Sequence, residues 1–239
     1  MNFIIRKAAP LPDIESYSRF LFVGPHPDDI EIGAGATAAK LAAAGKEVCF
    51  LICIDGRYGI DHTSLSGDAL AKERRREAEK SAALLGVKDV RFLDLVDAGN
   101  YEFRDMKAGI KSIIDEYKPD VILCPDPDVI SECHIDHLNT GRACKELSFF
   151  AGCEALAFYM TAKMNRFVNT TGYLEKQLEA IFGCHLTQFP PDCAEAKSIP
   201  LYLKLRAYDF GIRSFCRTAE GFRVLGKMHM HCLPEAGEF

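Results

Sequence analysis

Phe20-Leu21-Phe22-Val23-Gly24-Pro25-His26-Pro27-Asp28-Asp29-Ile30-Glu31-Ile32-Gly33 is an apolar run that breaks into a sharp polar turn. A small-residue stretch, Ala34-Gly35-Ala36-Thr37-Ala38-Ala39-Lys40-Leu41, follows directly. The order is strand, turn, helix. In an open α/β sheet the carboxyl ends of the strands are where ligands bind. The turn places one histidine and two adjacent carboxylates there. One His and one Asp can hold a divalent metal, and the second Asp can take a proton from water on that metal. Pro and Asp also build ordinary turns, and Asp caps helices. Read alone, His-Pro-Asp-Asp leaves both readings open.

A second cluster shifts the balance. His134-Ile135-Asp136-His137 follows another apolar run, Val121-Ile122-Leu123-Cys124, and a turn-rich stretch, Pro125-Asp126-Pro127-Asp128. Leu138–Phe150 then has helical character. His134 and His137 are three apart and share a face at a helix start. Two such loops on parallel strands converge at the top of a sheet. His26, Asp29 and His137 then supply two nitrogens and one oxygen and leave a position open, the pattern of a catalytic rather than a structural zinc site.

The rest of the chain alternates in the same way. Strands are expected at Phe20–Gly24, Val48–Ile54, Val90–Leu93 and Val121–Cys124, with later ones at Ala155–Met160 and Phe167–Asn169. Helices are expected at Gly35–Ala44, Asp68–Leu85, Asp105–Tyr117, Leu138–Phe150 and Tyr173–Gly183, and a last one within Ala196–Phe215 starting near Pro200. Near-continuous apolar strands alternating with helices imply a single α/β domain: a Rossmann-like, mostly parallel, doubly wound sheet. No repeat or linker divides residues 1–239.

Composition is that of a globular protein, with 48% hydrophobic and 26% charged residues. A net charge of −5 argues against a general nucleic-acid binder. Lys72-Glu73-Arg74-Arg75-Arg76-Glu77 reads as a salt-bridged helix face. No run is long enough for a membrane helix, and residues 1–19 lack a signal-peptide core. The ten cysteines are spread singly with no C-x-x-C pair, as in a reducing cytoplasm. Cys133 lies beside His134, but adjacent side chains usually point apart, which disfavours a Cys–His nucleophile.

With these residues in hand, the chain resembles the LmbE-like (PIG-L) family of zinc-dependent N-acetylglucosamine-type deacetylases. The HPDD and H-x-D-H motifs carry the resemblance, in order. Asp55-Gly56-Arg57, the helix Arg74–Gly86, His185-Leu186-Thr187-Gln188 and Ala219-Glu220-Gly221-Phe222-Arg223 are similar to further family segments, so the likeness spans about residues 20–226. The chain departs from the pattern at Pro25, at Ile30 where Glu is usual, and after Gly56 where an acid is missing; none of these removes a ligand.

The resemblance and the chemistry together assign His26, Asp29 and His137 to a zinc ion, with Fe2+ an alternative. Asp28 becomes the general base. His134, as imidazolium, stabilises the oxyanion and protonates the leaving amine. Asp136 hydrogen-bonds His134 or a ligand His. Arg57, Arg74 and His185 are candidate substrate contacts, with Arg57 equally a solvated loop arginine and His185 read more as a satisfied pocket-wall or core histidine than as a ligand. His62 reads as solvated. His229 and His231 read as a polar tail or as contributors to a neighbouring copy. The expected substrate is a small N-acylated amino sugar or glycoconjugate. The protein is expected to be cytoplasmic, with no nucleic-acid or membrane partner and with scope for a homo-oligomer.

Two other readings compete. Gly33-x-Gly35-x-x-Ala38, with Asp55 about 20 residues on, loosely matches a dinucleotide fingerprint. Residues His26–Ile32 intervene between strand and glycines, however, and the fingerprint leaves His134–His137 unexplained. A non-catalytic metal-binding relative is the second rival; it would need neither Asp28 nor His134.

Overall fold

The computed structural model describes residues 7, 9–59, 63–148 and 151–232. Seven strands form one sheet in the order β3-β2-β1-β4-β5-β7-β6. β1 (Arg19–Gly24), β2 (Glu47–Ile54), β3 (Asp89–Leu95), β4 (Val121–Pro125) and β5 (Ala155–Tyr159) are mutually parallel. β7 (Ala219–Gly226) runs antiparallel to β5, and β6 (Arg166–Asn169) pairs antiparallel on its outer side.

Alternate strand residues go to opposite layers, as the strand period of two requires. Phe20, Phe22, Phe50 and Ile52 pack with α1 (Asp29–Ala43) and α2 (Gly67–Leu85). Leu21, Val23, Cys49 and Leu51 pack on the other face with α3 (Phe103–Tyr117) and α4 (Ile135–Ser148). Both faces of β1 are therefore buried, which is why its sequence is uniformly apolar rather than alternating. A third cluster joins α5 (Leu174–Cys184) to α6 (Ala194–Arg213) through Leu178, Ile181, Phe189 and Leu203. A short α7 (Lys227–His231) closes the described chain. No helix among the described residues is long and apolar enough to cross a membrane.

Several expectations are corrected. α1 starts at Asp29, not Gly35, so the glycines of the dinucleotide fingerprint lie inside a helix rather than in the strand–helix turn. That reading is withdrawn. α6 starts at Ala194, where the Cys193 thiol accepts from the Ala196 amide at 3.2 Å, and Pro200 sits inside the helix. β7 was not anticipated as a strand. His229 belongs to no loose tail: it is buried, its Nδ1 accepts from the Gly226 amide at 3.1 Å and its Nε2 lies 3.2 Å from the Ala9 carbonyl. His62 and the expected helix end at Phe149–Phe150 lie outside the described residues.

Candidate metal centre

Between β1 and β4 the strand order reverses, and this switch point is where open α/β sheets leave a crevice. The β1–α1 turn and the β4–α4 loop flank it. His26 Nδ1 lies 3.2 Å from Asp29 Oδ2, and His137 Nε2 lies 3.4 Å from the same oxygen. Two metal–ligand bonds of about 2.0–2.1 Å at a tetrahedral angle put donor atoms roughly 3.3 Å apart. The spacing and the N,N,O donor set thus fit a zinc-type ion. The three residues anticipated from sequence are brought together as one group.

The other nitrogen of His26 is held by residues from two further loops. His26 Nε2 lies 3.2 Å from Asp136 Oδ2 and 3.3 Å from Asp97 Oδ1. Carboxylates on the far nitrogen fix ring orientation and raise ligand basicity. Burial opposes charge on His26, but Asp136, Asp29 and Asp97 outweigh it and raise its pKa well above the ordinary imidazole value. Asp29 and Asp97 are buried, which alone would raise them. The charges and hydrogen bonds of His137 and His26 for Asp29, and of His26 for Asp97, hold both below the usual carboxylate range.

Asp136 is wholly buried and also accepts from Tyr101 Oη at 2.8 Å and the Gly99 amide at 3.2 Å. Of the two partners expected for it, the structure favours His26, at 3.2 Å; His134 Nδ1 is 3.7 Å away. Glu132 performs the matching task for His137: its Oε2 lies 3.0 Å from His137 Nδ1, while its Oε1 accepts from the His134 amide at 2.8 Å.

Asp28 stands apart from the donors. Its φ is +108°, a left-handed backbone that costs a non-glycine residue of order 1–3 kcal/mol and recurs at functional sites. Its carboxylate is buried, with Arg74 Nη2 at 3.5 Å. Burial lifts its pKa against the pull of Arg74, and the Asp29 charge adds to the rise, to about 6. Arg74 itself donates to the Pro27 and Gly56 carbonyls at 2.9 and 3.1 Å. A Cβ on Gly59 would lie 2.4 Å from Arg74 Nη1, so a side chain there would displace this guanidinium from its place against the loop after β2.

His26, Asp28, Asp29, Arg74, His134 and His137 all line one cavity of about 420 Å³. His134 is half exposed, and its Nδ1 accepts from the Asp136 amide at 3.3 Å, which leaves Nε2 to carry the proton. Two expected contacts are placed elsewhere. Arg57 is paired with Asp55 at 2.7 Å and Asp68 at 3.0 Å and lines an adjacent cavity. His185 is fully buried, with Nε2 3.1 Å from Glu31 Oε1.

α1 is kinked at Ala34 (φ −151°, ψ 19°), and distant side chains satisfy the backbone groups around the kink. Glu220 on β7 accepts from the Ala36 and Thr37 amides at 3.2 and 2.7 Å. Gln177 donates to the Glu31 carbonyl at 2.8 Å and Arg206 to the Ile32 carbonyl at 2.6 Å. The turn carrying Asp28 and Asp29 is thereby fixed from the far side of the helix. Sequence reasoning missed Asp97, Tyr101, Glu132 and the structural role of Glu220. Asp97 had one available signal: it follows a parallel strand, as the other site acids do.

The fold and site define a doubly wound α/β protein with a three-donor metal-type centre at its switch point. Residues 21–148 match the PIG-L family, described as GlcNAc-PI de-N-acetylase, and the chain belongs to that family. It is 34% identical to diacetylchitobiose deacetylase of Thermococcus kodakarensis over 95% of this chain and 89% of the relative. It is 35% identical, over 52% of this chain and 36% of the relative, to 1D-myo-inositol 2-acetamido-2-deoxy-alpha-D-glucopyranoside deacetylase of Kineococcus radiotolerans. Among solved structures, an inhibitor complex of N,N'-diacetylchitobiose deacetylase from Pyrococcus horikoshii superposes with a TM-score of 0.86 at 32% identity, covering 98% of this chain and 94% of that one.

Proposed function

We propose that the protein is a zinc-dependent hydrolase that removes the acetyl group from the amide nitrogen of an N-acetylglucosamine-type sugar. The observation that carries this reading is the 3.2 and 3.4 Å convergence of His26, Asp29 and His137 beside a buried carboxylate that is not a ligand. Mere metal storage needs no such carboxylate. Relatives named for deacetylation of chitobiose-type and glucosaminyl-inositol substrates support the substrate class.

A zinc ion held by the three donors would polarise the acyl carbonyl and acidify an attacking water. Asp28 takes the proton from that water. Its pKa of about 6 leaves it ionised at neutral pH yet basic enough to accept. Arg74, tied to two backbone carbonyls, holds the Asp28 carboxylate in place. His134 Nε2, the nitrogen left to donate, would stabilise the developing oxyanion, and the proton that Asp28 took from water would pass on to the leaving amine. Asp136, Asp97 and Glu132 keep the two ligand imidazoles oriented.

The test is amine release. Purified protein loaded with one equivalent of zinc should liberate free amine and acetate from N-acetylglucosamine derivatives, and chelation should abolish this. Stoichiometric zinc binding without amide hydrolysis would favour the non-catalytic alternative.

A further inference from the structure

We propose that two copies of this chain pair through the outer face of α6, antiparallel about a two-fold axis, so that Leu205 of each copy meets Tyr208 of the other.

α6 is apolar on two sides. Its inner side, with Leu203, Ala207 and Gly211, is buried, and Leu203 and Ala207 pack with α5. Its outer side carries Leu201, Leu205, Tyr208 and Ile212, with Tyr202 on the flank and Phe215 just past the helix end. These six are 40–98% exposed and make up half of the large apolar side chains exposed among the described residues. The steps of 4, 3 and 4 from Leu201 to Ile212 form the seam along which one helix packs on another. Contiguous apolar patches of this kind are rare on a solitary soluble chain and mark interaction sites. Phe215 adds a second mark. Its φ of +58° is a left-handed backbone, unusual for a bulky residue, and it holds an almost fully exposed ring at the end of the seam.

Area and charge select a second copy as the occupant. At ~150 Å² for each large apolar side chain, the six offer about 600 Å². Two copies then bury about 1,200 Å², the lower end of the roughly 1,200–2,000 Å² of specific interfaces. A two-fold contact uses one patch twice and needs no other surface. In a parallel pair each level would face itself, setting Lys204 against Lys204 and Arg213 against Arg213. In the antiparallel pair Leu201 opposes Ile212 and Leu205 opposes Tyr208, each twice. Lys204 then comes level with Asp209 of the other copy, and Tyr202 lies on the same flank as that Asp209, where its hydroxyl can donate to the carboxylate. Within the chain Lys204 and Asp209 are held only by 3.7 Å pairs, to Glu175 and Arg213. A net charge of −5 gives no pull toward an anionic lipid surface.

Sedimentation equilibrium of the full chain over a wide concentration range is expected to give twice the chain mass or an even multiple of it. Leu205→Lys and Tyr208→Asp, both at exposed positions, should each weaken the pairing about 100-fold or more, because each alters two of the four seam layers. Melting followed by circular dichroism should stay at the wild-type temperature in both. Mixing the two variants should restore the pairing: the new lysine of one copy then opposes the new aspartate of the other, and the remaining layers are wild type. A parallel pair would gain nothing from mixing, since it sets 205 against 205 and 208 against 208. A single-chain mass at every concentration, an assembly that both variants leave intact, or variants that do not rescue each other would overturn the proposal. A monomeric chain that floats with phosphatidylcholine–phosphatidylglycerol vesicles, and ceases to in both variants, would overturn it in favour of a lipid surface.

Discussion

The parallel half of the sheet and its antiparallel edge contribute to the site in opposite ways. β1 and β4 end in loops that carry the candidate donors, packed into Pro25–Asp29 and His134–His137. β7 carries no donor, yet two of its charged residues are almost wholly buried. Glu220 fixes the kink of α1, which carries Asp29. Arg223 lies 2.5 Å from Asp126 and 2.8 Å from Asp128, at the root of the loop that leads to His137. One region supplies the chemistry and the other holds its two arms at fixed separation. Buried charges are costly unless paired, so their presence on β7 marks a structural task.

The sharpest break of this comparison lies within the donor half. Asp29→Ala should strip the metal, as should His137→Ala, since each removes one of three protein donors. Asp28→Asn should keep the metal and lower turnover by about 10²–10⁴-fold, as for loss of a general base. Metal content by elemental analysis beside amine release separates the two. Asp28→Asn losing metal while Asp29→Ala retains it would show the carboxylate roles reversed.

The edge is tested next. Arg223→Met should destabilise the fold by about 3–5 kcal/mol, because Asp126 would be left buried without its cation. Asp126 keeps only the Thr161 hydroxyl among its close side-chain partners. Urea unfolding of the metal-free protein measures this without reference to the site. Glu132→Gln should act more weakly and locally. It leaves folding near wild type and lowers zinc affinity about 10–100-fold, the usual cost of losing a carboxylate behind a ligand imidazole. A zinc affinity unchanged in Glu132→Gln would mean that the 3.0 Å contact with His137 does not tune the ligand.

The same division governs what could be read from the sequence. The candidate donors were legible as a group the fold would bring together, because each cluster is contiguous and follows an uninterrupted apolar strand. The doubly wound, mostly parallel class was legible for the same reason. β7 was not, since Glu220, Gly221 and Arg223 interrupt its apolar pattern, and their burial is tolerated only through partners far along the chain. Glu220 meets Ala36 and Gln177; Arg223 meets Asp126. Asp97 and Glu132 escaped notice because their roles depend on which loops meet, a property of the sheet order rather than of any local spacing. The Lys72–Glu77 run is the expected salt-bridged face only in part: Arg76 pairs with Glu73 and Arg75 with Asp94, whereas Arg74 and Glu77 are buried.

The smallest effect concerns His185, which lies between the two regions on the loop after α5. Burial disfavours its charge, but Glu31, 3.1 Å from Nε2, outweighs this and raises its pKa above the ordinary imidazole value of about 6.5. The folded state therefore binds the proton more tightly than the unfolded chain. The linked stabilisation is complete below about pH 6.5 and is lost as pH rises through the folded-state value. His185→Gln leaves a neutral amide within reach of Glu31 and no group to titrate. The melting-temperature gap between wild type and His185→Gln should thus be widest near pH 6 and shrink toward pH 9, measured on metal-free protein so that ligand titration is common to both. A gap that widens with rising pH would mean that His185 is held neutral, and that Glu31 is stabilised by the Ser81 hydroxyl at 2.5 Å rather than by an imidazolium.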